Sequence, residues 1–122
     1  MPHVAPFFQG ISLTVTGHLA QPAGVTAAAL HERFAAFYAG ERLVTVLPGE
    51  RDMPDVRSHG SLRHGVTLGG FTYDAATGRL ALVSVIDNLL KGAATQALQN
   101  VNLALGLGEY EGIPLAGGEG GR

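Results

Sequence analysis

The 122-residue sequence contains no cysteine. This absence excludes disulfides, thiolate metal ligands and a thiol nucleophile from the chain. Charged residues make up only 15%, against about 25% in typical globular domains, and so few charges on a small domain indicate large contact surfaces. The formal net charge of -2 gives no electrostatic basis for binding nucleic acid or an anionic membrane.

Long apolar runs are also absent. No run approaches the ~18 residues that a membrane span requires, and residues 1–10 lack the basic and apolar regions of a signal peptide. The length fits one domain over residues 1–115. A glycine-rich tail follows over residues 116–122, and we expect it to be disordered.

Catalytic and metal-binding motifs are missing too. There is no G-x-S-x-G, no G-x-G-x-x-G after a strand and no P-loop. The five histidines show no ligand spacing, so we expect no metal site. Asp52 and Asp55 form a possible carboxylate pair, but in an arginine-rich loop we expect them to be solvated or ion-paired.

The remaining pattern predicts an α+β domain. Strict alternation predicts a half-buried strand over residues 10–19, and Thr26 predicts the N-cap of a helix that runs to about Ala39. Three further strands are expected, over residues 43–47, 65–73 and 79–86, the last two joined as a hairpin with a bulge at Gly69-Gly70. This order favours a mainly antiparallel sheet with helices packed on its faces.

Residues 48–64 form the most polar and irregular segment of the sequence. Three arginines, two histidines and two serines gather there between predicted strands. Loops of this kind often carry functional sites. An ordinary solvated connection explains the segment about equally well.

Residues 86–107 predict one long helix entered directly from a strand. An apolar stripe recurs at three- and four-residue steps, either Asp87 or Asn88 caps the start, and Gly106 suits the C-terminal cap. Lys91 and Gly92 are unfavourable in the first turn, which suggests that an anion or another backbone comes close there.

The polar face of this helix carries no charge. Its polar side chains are all neutral hydrogen-bonding groups, namely Thr95, Gln96, Gln99, Asn100 and Asn102. Because solvated helix faces usually carry charges, we expect this face to hydrogen-bond to a protein surface outside the chain. The alternative is a core helix whose amides are satisfied within the chain.

Three stretches together resemble one enzyme family. Residues 86–115, IDNLLKGAATQALQNVNLALGLGEYEGIPL, are similar to the C-terminal end of N-acetyl-gamma-glutamyl-phosphate reductase. MPHVAPFFQGISLTV resembles the first strand of its second domain, and RHGVTLGGF resembles its hairpin in the branch with Gly-Gly-Phe. The resemblance covers nearly the whole chain up to about Leu115.

The resemblance implies the second domain of a cytoplasmic, NADP-dependent reductase of arginine biosynthesis. That domain resembles the second domain of glyceraldehyde-3-phosphate dehydrogenase, and it mediates oligomerisation. The dinucleotide-binding domain, which supplies the catalytic cysteine, is absent from this chain, and so is the catalytic histidine. No catalytic residue is therefore expected here, and the fragment alone is expected to be inactive.

The resemblance also implies binding residues at particular positions of this sequence. Asn88 is expected to hydrogen-bond the nicotinamide carboxamide of NADP, with Lys91 and Gly92 near a cofactor or substrate phosphate. Arg63 and His64 are expected to contact the substrate anion. The implied partners are a small-molecule substrate, the chain's own dinucleotide-binding domain and further copies in a homo-oligomer.

Some features leave other functions open. Many members of the family carry arginine where this sequence has Gln9, so a substrate role of that position is doubtful. A stand-alone small-molecule-binding or assembly module that kept the fold without the chemistry is one alternative. The same domain of an aspartate-semialdehyde dehydrogenase is another, which the EYEGIPL ending and the Gly-Gly-Phe hairpin disfavour.

Overall fold

The computed structural model describes residues 2–3, 8–20 and 24–115. Five strands form one sheet in the order β1-β2-β5-β4-β3. The strands are β1 Pro2–His3, β2 Ile11–His18, β3 Val44–Val46, β4 Val66–Asp74 and β5 Arg79–Ile86. Among these five strands, β3 and β4 alone pair in parallel, so the predicted mainly antiparallel α+β architecture is confirmed. The predicted tail over residues 116–122 lies outside the described residues.

The apolar core lies between the sheet and helix α1, Ala27–Phe37. Leu68, Phe71 and Leu82 form its buried centre, and Phe34 of α1 packs its ring 5.2 Å from that of Phe71. Thr26 caps α1 as predicted, because its hydroxyl oxygen accepts a hydrogen bond from the Ala29 N–H.

The hairpin of β4 and β5 has the predicted bulge. The register shifts between Gly69 and Thr72, and Gly70 has a φ of 62°, which glycine adopts readily. A Cβ atom at Gly69 would lie 2.4 Å from the carbonyl oxygen of Asp52. The two glycines therefore bend the strand and let the loop before β4 approach the sheet.

Two segments are wound as π-helical turns. Val56–Gly60 is the first and interrupts the segment that the sequence predicted to be irregular. Leu90–Ala94 is the second and leads into helix α2, Thr95–Ala104. The predicted long helix is confirmed from Leu90 onward, but its first turn is wider than an α-helix. Gly106, with a φ of 70°, follows its C-terminus as predicted.

Among the described residues, neither helix is long and apolar enough to cross a membrane.

Candidate functional site

The candidate site lies where three chain segments meet at one end of the sheet. Register places Ile11, at the start of β2, beside Ile86 at the end of β5, and Ile86 beside Val66 at the start of β4. The residues just outside these strands are therefore neighbours. They are Gln9 and Gly10, Asp87 and Asn88, and the loop that runs through Leu62 to His64.

Asp87 is the N-terminal cap of the helical segment. Its Oδ1 accepts hydrogen bonds from the Leu89 and Leu90 N–H groups at 2.8 and 3.0 Å. The side chain of Asn88 turns the other way, and its Oδ1 accepts from the Gly10 N–H at 2.7 Å. Of the two residues that the sequence offered as caps, Asp87 fills the role, and Asn88 ties the helix start to the segment before β2.

The carboxylate of Asp87 is fully buried yet stays ionised. Burial alone would raise its pKa, but hydrogen bonds from the backbone N–H groups of Leu90, Leu62 and Leu89 and from the Gln9 amide together lower the pKa below its usual value. The site therefore contains a fixed negative charge.

Lys91 points along α2 rather than beyond its start. Its Nζ donates to the side-chain oxygens of Gln96, at 2.9 Å, and Gln99, at 2.5 Å. Partial burial lowers the pKa of Lys91, and the carboxylates of Glu109 and Glu41 oppose that shift. The unfavourable cation in the first turn is thus stabilised by amide oxygens of the next turns.

Gly92 is explained by the backbone. Its N–H donates to the carbonyl oxygen of Asp87 at 2.8 Å, and a Cβ atom at this position would lie 3.2 Å from that oxygen. Of an anion and a close backbone, these contacts support the backbone, which is that of Asp87 at the start of the same segment and not a separate one.

Arg63 and His64 line a cleft of about 280 Å³ beside β3. Arg63 is exposed, and its Nε donates to the carbonyl oxygen of Ser58 at 3.1 Å. His64 Nδ1 lies 2.8 Å from the hydroxyl oxygen of Thr95 in α2. Arg42 also lines the cleft, with its guanidinium 5.5 Å from the ring centre of Tyr110. Two residues of the polar loop, Arg63 and His64, therefore share this cleft with Arg42, which precedes β3.

The polar face of α2 contradicts the interpretation that we favoured from the sequence. Thr95, Gln99 and Asn102 are buried within the chain. Asn102 Nδ2 donates to the carbonyl oxygens of Glu109 and Glu111, and Gln99 Nε2 donates to the Glu109 carboxylate. The expectation of hydrogen bonds to an outside surface was wrong for these three residues, because His64 and the turns after α2 supply their partners. Gln96 and Asn100 are exposed and hydrogen-bond to each other.

The apolar side of α2 is the one left uncovered. Val101 is 51% exposed, Leu105 69% and Leu107 51%. Most of the predicted apolar stripe is exposed as well, at Ala94, Ala97, Val101 and Ala104, and only Leu90 is half-buried. Exposed apolar side chains at helical spacing are typical of a contact surface.

Asp52 and Asp55 are not arranged as a carboxylate pair for acid–base chemistry. Asp52 accepts from the Gly49 N–H, and Asp55 accepts from the Arg57 and Ser58 N–H groups. The hydrogen bonds to Ser58 lower the pKa of Asp55. Both are turn caps, which the sequence analysis did not recognise. Over the described ranges, no three His, Asp or Glu side chains are grouped to hold a metal ion.

The sequence analysis missed Leu62 altogether and considered Gln9 only for a substrate role. Both donate to Asp87 Oδ2 at 2.7 Å, Gln9 through its side-chain amide and Leu62 through its backbone. Asp87 itself was expected only as a possible cap. No local pattern marks such contacts, because the partners lie 25 and 78 residues from Asp87 in sequence.

Comparisons with known proteins agree with this architecture. The family described as "Semialdehyde dehydrogenase, dimerisation domain" matches residues 1–88. The N-acetyl-gamma-glutamyl-phosphate reductase of Xanthomonas campestris is 47% identical over 113 residues, which are 93% of this chain and 34% of that protein. The mitochondrial protein arg-6 of Neurospora crassa is 49% identical over 114 residues, 93% of this chain and 12% of that protein.

Solved structures show the same fold. Aspartate semialdehyde dehydrogenase II of Vibrio cholerae, crystallised with ASA, superimposes with a TM-score of 0.65 at 25% identity, covering 82% of this chain and 28% of that one. A probable aspartate-semialdehyde dehydrogenase from Pseudomonas aeruginosa gives 0.63 at 28% identity, covering 84% and 30%. The chain spans about a third or less of each relative, and it belongs to the semialdehyde dehydrogenase dimerisation-domain family.

Proposed function

We propose that this chain is the second domain of an NADP-dependent N-acetyl-gamma-glutamyl-phosphate reductase of arginine biosynthesis. The observation that carries the proposal is the 47% identity to the Xanthomonas campestris reductase across 93% of the chain. The enzyme would convert N-acetyl-glutamyl phosphate into the semialdehyde and phosphate. The thiolate that attacks the acyl phosphate and the acid–base histidine would come from outside this chain, which has no cysteine.

Asn88 is the residue best suited to hold the nicotinamide end of NADP. Because its Oδ1 accepts from the Gly10 N–H, the orientation of the amide is fixed. In the described part of the chain no acceptor binds its Nδ2, which supports a hydrogen bond to the carboxamide oxygen of the cofactor. NADP supplies the hydride when it is bound. The chain's own contribution is to orient the nicotinamide ring.

Lys91 and Gly92 complete the cofactor side of the proposed site. The missing side chain of Gly92 leaves room for the carbonyl oxygen of Asp87, so we assign Gly92 a role in shaping the first turn near the phosphate rather than a direct contact with it. Lys91 adds a positive charge there, although its Nζ is bonded to Gln96 and Gln99. We therefore assign Lys91 an electrostatic contribution rather than a direct contact.

Arg63 and His64 form the substrate side of the proposed site. The guanidinium of Arg63 is exposed, and among the described residues only its Nε has an acceptor. Its terminal N–H groups can therefore bind a carboxylate or phosphate through bidentate hydrogen bonds. The hydroxyl of Thr95 holds the His64 ring at its Nδ1, which leaves Nε2 to face the substrate.

The exposed apolar face of α2 supports a partner within the same protein. We propose that it packs against the chain's own dinucleotide-binding domain, with further association into a homo-oligomer, as the description of the family suggests. A stand-alone module would be expected to cover this helix internally. The exposure of Val101 and Leu105 argues against that alternative. A cytoplasmic location remains a prediction.

A domain-replacement chimera tests the proposal. Residues 1–115 of this chain replace the matching third of the Xanthomonas campestris reductase, and oxidation of NADPH by N-acetyl-glutamyl phosphate is followed. We expect turnover by the chimera and none by the 122-residue chain alone. Asn88→Asp keeps the acceptor for Gly10 and removes the donor, so it should raise KM for NADPH about tenfold. A folded chimera without turnover would contradict the proposal.

A further inference from the structure

Asp87 joins three segments that are remote in sequence. Its side chain is fully buried, and each of its two carboxylate oxygens accepts two hydrogen bonds. Oδ1 accepts from the first turn of the helical segment, at Leu89 and Leu90, and Oδ2 accepts from Leu62 and Gln9. All four donors are neutral N–H groups. Only an ionised carboxylate offers enough acceptor sites for all of them.

The contact with Leu62 holds an unfavourable backbone conformation. Leu62 is the one described residue other than glycine with a positive φ, at 59°, and its side chain is 77% exposed. Packing of this side chain therefore does not hold the conformation, whereas the hydrogen bond from its N–H to Asp87 does. Hydrogen bonds from Arg63 to the carbonyl oxygens of Gly60 and Ser58 also hold the loop, and the bond to Asp87 is the one that joins it to the start of the helical segment.

The same carboxylate also positions Asn88, on the cofactor side of the proposed site. Asn88 is the next residue, and the turn that Asp87 caps determines where its amide points. Gln9, which donates to Asp87, precedes Gly10, which donates to Asn88. A Cβ atom at Gly10 would overlap the side chain of Val56, so this segment has little room to shift.

We propose that Asp87 is a positioning residue that fixes the loop of Arg63 and His64 relative to Asn88. The inference rests on the proposed function, since it assigns the substrate side to the first two residues and the cofactor side to the third. Because Asp87 is fully buried, it would act through these residues and not by contact with a ligand. Its effect is to keep both binding groups at one separation, which transfer of a hydride from a bound nicotinamide to a bound acyl group would require.

The substitution Asp87→Asn distinguishes the capping of the helix from the contacts with Leu62 and Gln9. One oxygen remains and can still cap the helix, but an N–H₂ group replaces the acceptor facing Leu62 and Gln9. In the chimera described above, we expect KM for the acyl phosphate to rise about tenfold and kcat/KM to fall about 100-fold. Asp74→Asn is the matched control, because Asp74 caps an exposed hairpin turn in the same manner through Ala76 and Thr77.

Kinetics distinguish positioning from a loss of folded protein. Loss of folded enzyme lowers the maximal rate alone and leaves both KM values unchanged. In the 122-residue chain, amide hydrogen exchange should accelerate at Leu62 more than at Leu89 and Leu90. If the parent chimera is active and its D87N variant keeps KM for the acyl phosphate and for NADPH within about twofold, the inference is overturned and the proposed function stands. A folded parent chimera without turnover would instead overturn the proposed function, and the positioning role with it.

Discussion

Replacing Asn102 by alanine should destabilise the chain more than replacing Val101 by alanine. The prediction reverses the usual rule for an amide and an aliphatic residue on one helix. Asn102 is 3% exposed and donates to two backbone carbonyl oxygens, at 3.1 and 2.9 Å. Val101 is 51% exposed.

The magnitude follows from the hydrogen bonds. Two bonds at about 0.5–1.5 kcal/mol each give a loss of about 2 kcal/mol, and the better helix propensity of alanine returns less than about 0.7 kcal/mol. A net cost of about 1.5–2 kcal/mol would lower Tm by several degrees for a domain of this size. Val101→Ala should cost less than about 0.5 kcal/mol in the isolated chain.

Urea unfolding of the two variants and the parent measures the difference directly. The midpoint shift at constant m reports the change in free energy of unfolding. The series is repeated at several protein concentrations, because a cost of Val101→Ala that grows with concentration reflects self-association rather than folding. A larger cost for Val101→Ala than for Asn102→Ala at the lowest concentration would refute the assignment of the buried face.

Three further outcomes are expected. The lowered pKa of Asp87 stabilises the fold above its unfolded pKa near 4, and this stability is lost as the pH falls through the folded value. D87N should therefore be less stable at pH 7, and its free energy of unfolding should depend less on pH in acid. Gly69→Ala should cost about 1–3 kcal/mol because its Cβ meets the Asp52 carbonyl, while Gly40→Ala, with nothing nearby, should change stability by less than about 1 kcal/mol in chemical denaturation. Val101→Asp should leave the isolated chain folded but should destabilise the chimera in thermal melts, since a charge would face the docked domain.

Elements that depend on local sequence could be predicted. The alternation over residues 10–19 predicted the extent of β2, although Ile11, Leu13 and Val15 on its apolar side are exposed. The hydroxyl of Thr26 predicted the start of α1, and Gly69-Gly70 predicted the bulge. Each is determined by neighbouring residues, through the period of the strand, the first turn of the helix and the conformational freedom of glycine.

The covered face of α2 could not be predicted in the same manner. Periodicity showed which residues share a face, but not which face the chain itself would cover. The carbonyl oxygens that bind Asn102 belong to turns whose path no local pattern reveals. The π-helical turn at Val56–Gly60 was missed for a related reason, since π-helices have no distinctive sequence pattern.

The arrangement of the proposed site residues could not be predicted from the sequence. Asn88, Arg63 and His64 came from the resemblance, and register at one end of the sheet brings their segments together. The carboxylate that links them was expected only as a helix cap. Its contacts with Gln9 and Leu62 required the three-dimensional structure.

The most direct test of the central claim is to compare two chimeras. Residues 1–115 are joined to the complementary part of the Xanthomonas campestris reductase or of the Pseudomonas aeruginosa dehydrogenase, and NADPH oxidation is measured with N-acetyl-glutamyl phosphate and with aspartyl phosphate. We predict turnover of N-acetyl-glutamyl phosphate by the first chimera and of neither substrate by the second. Turnover of aspartyl phosphate alone, by either folded chimera, would contradict the assignment of this domain to the reductase.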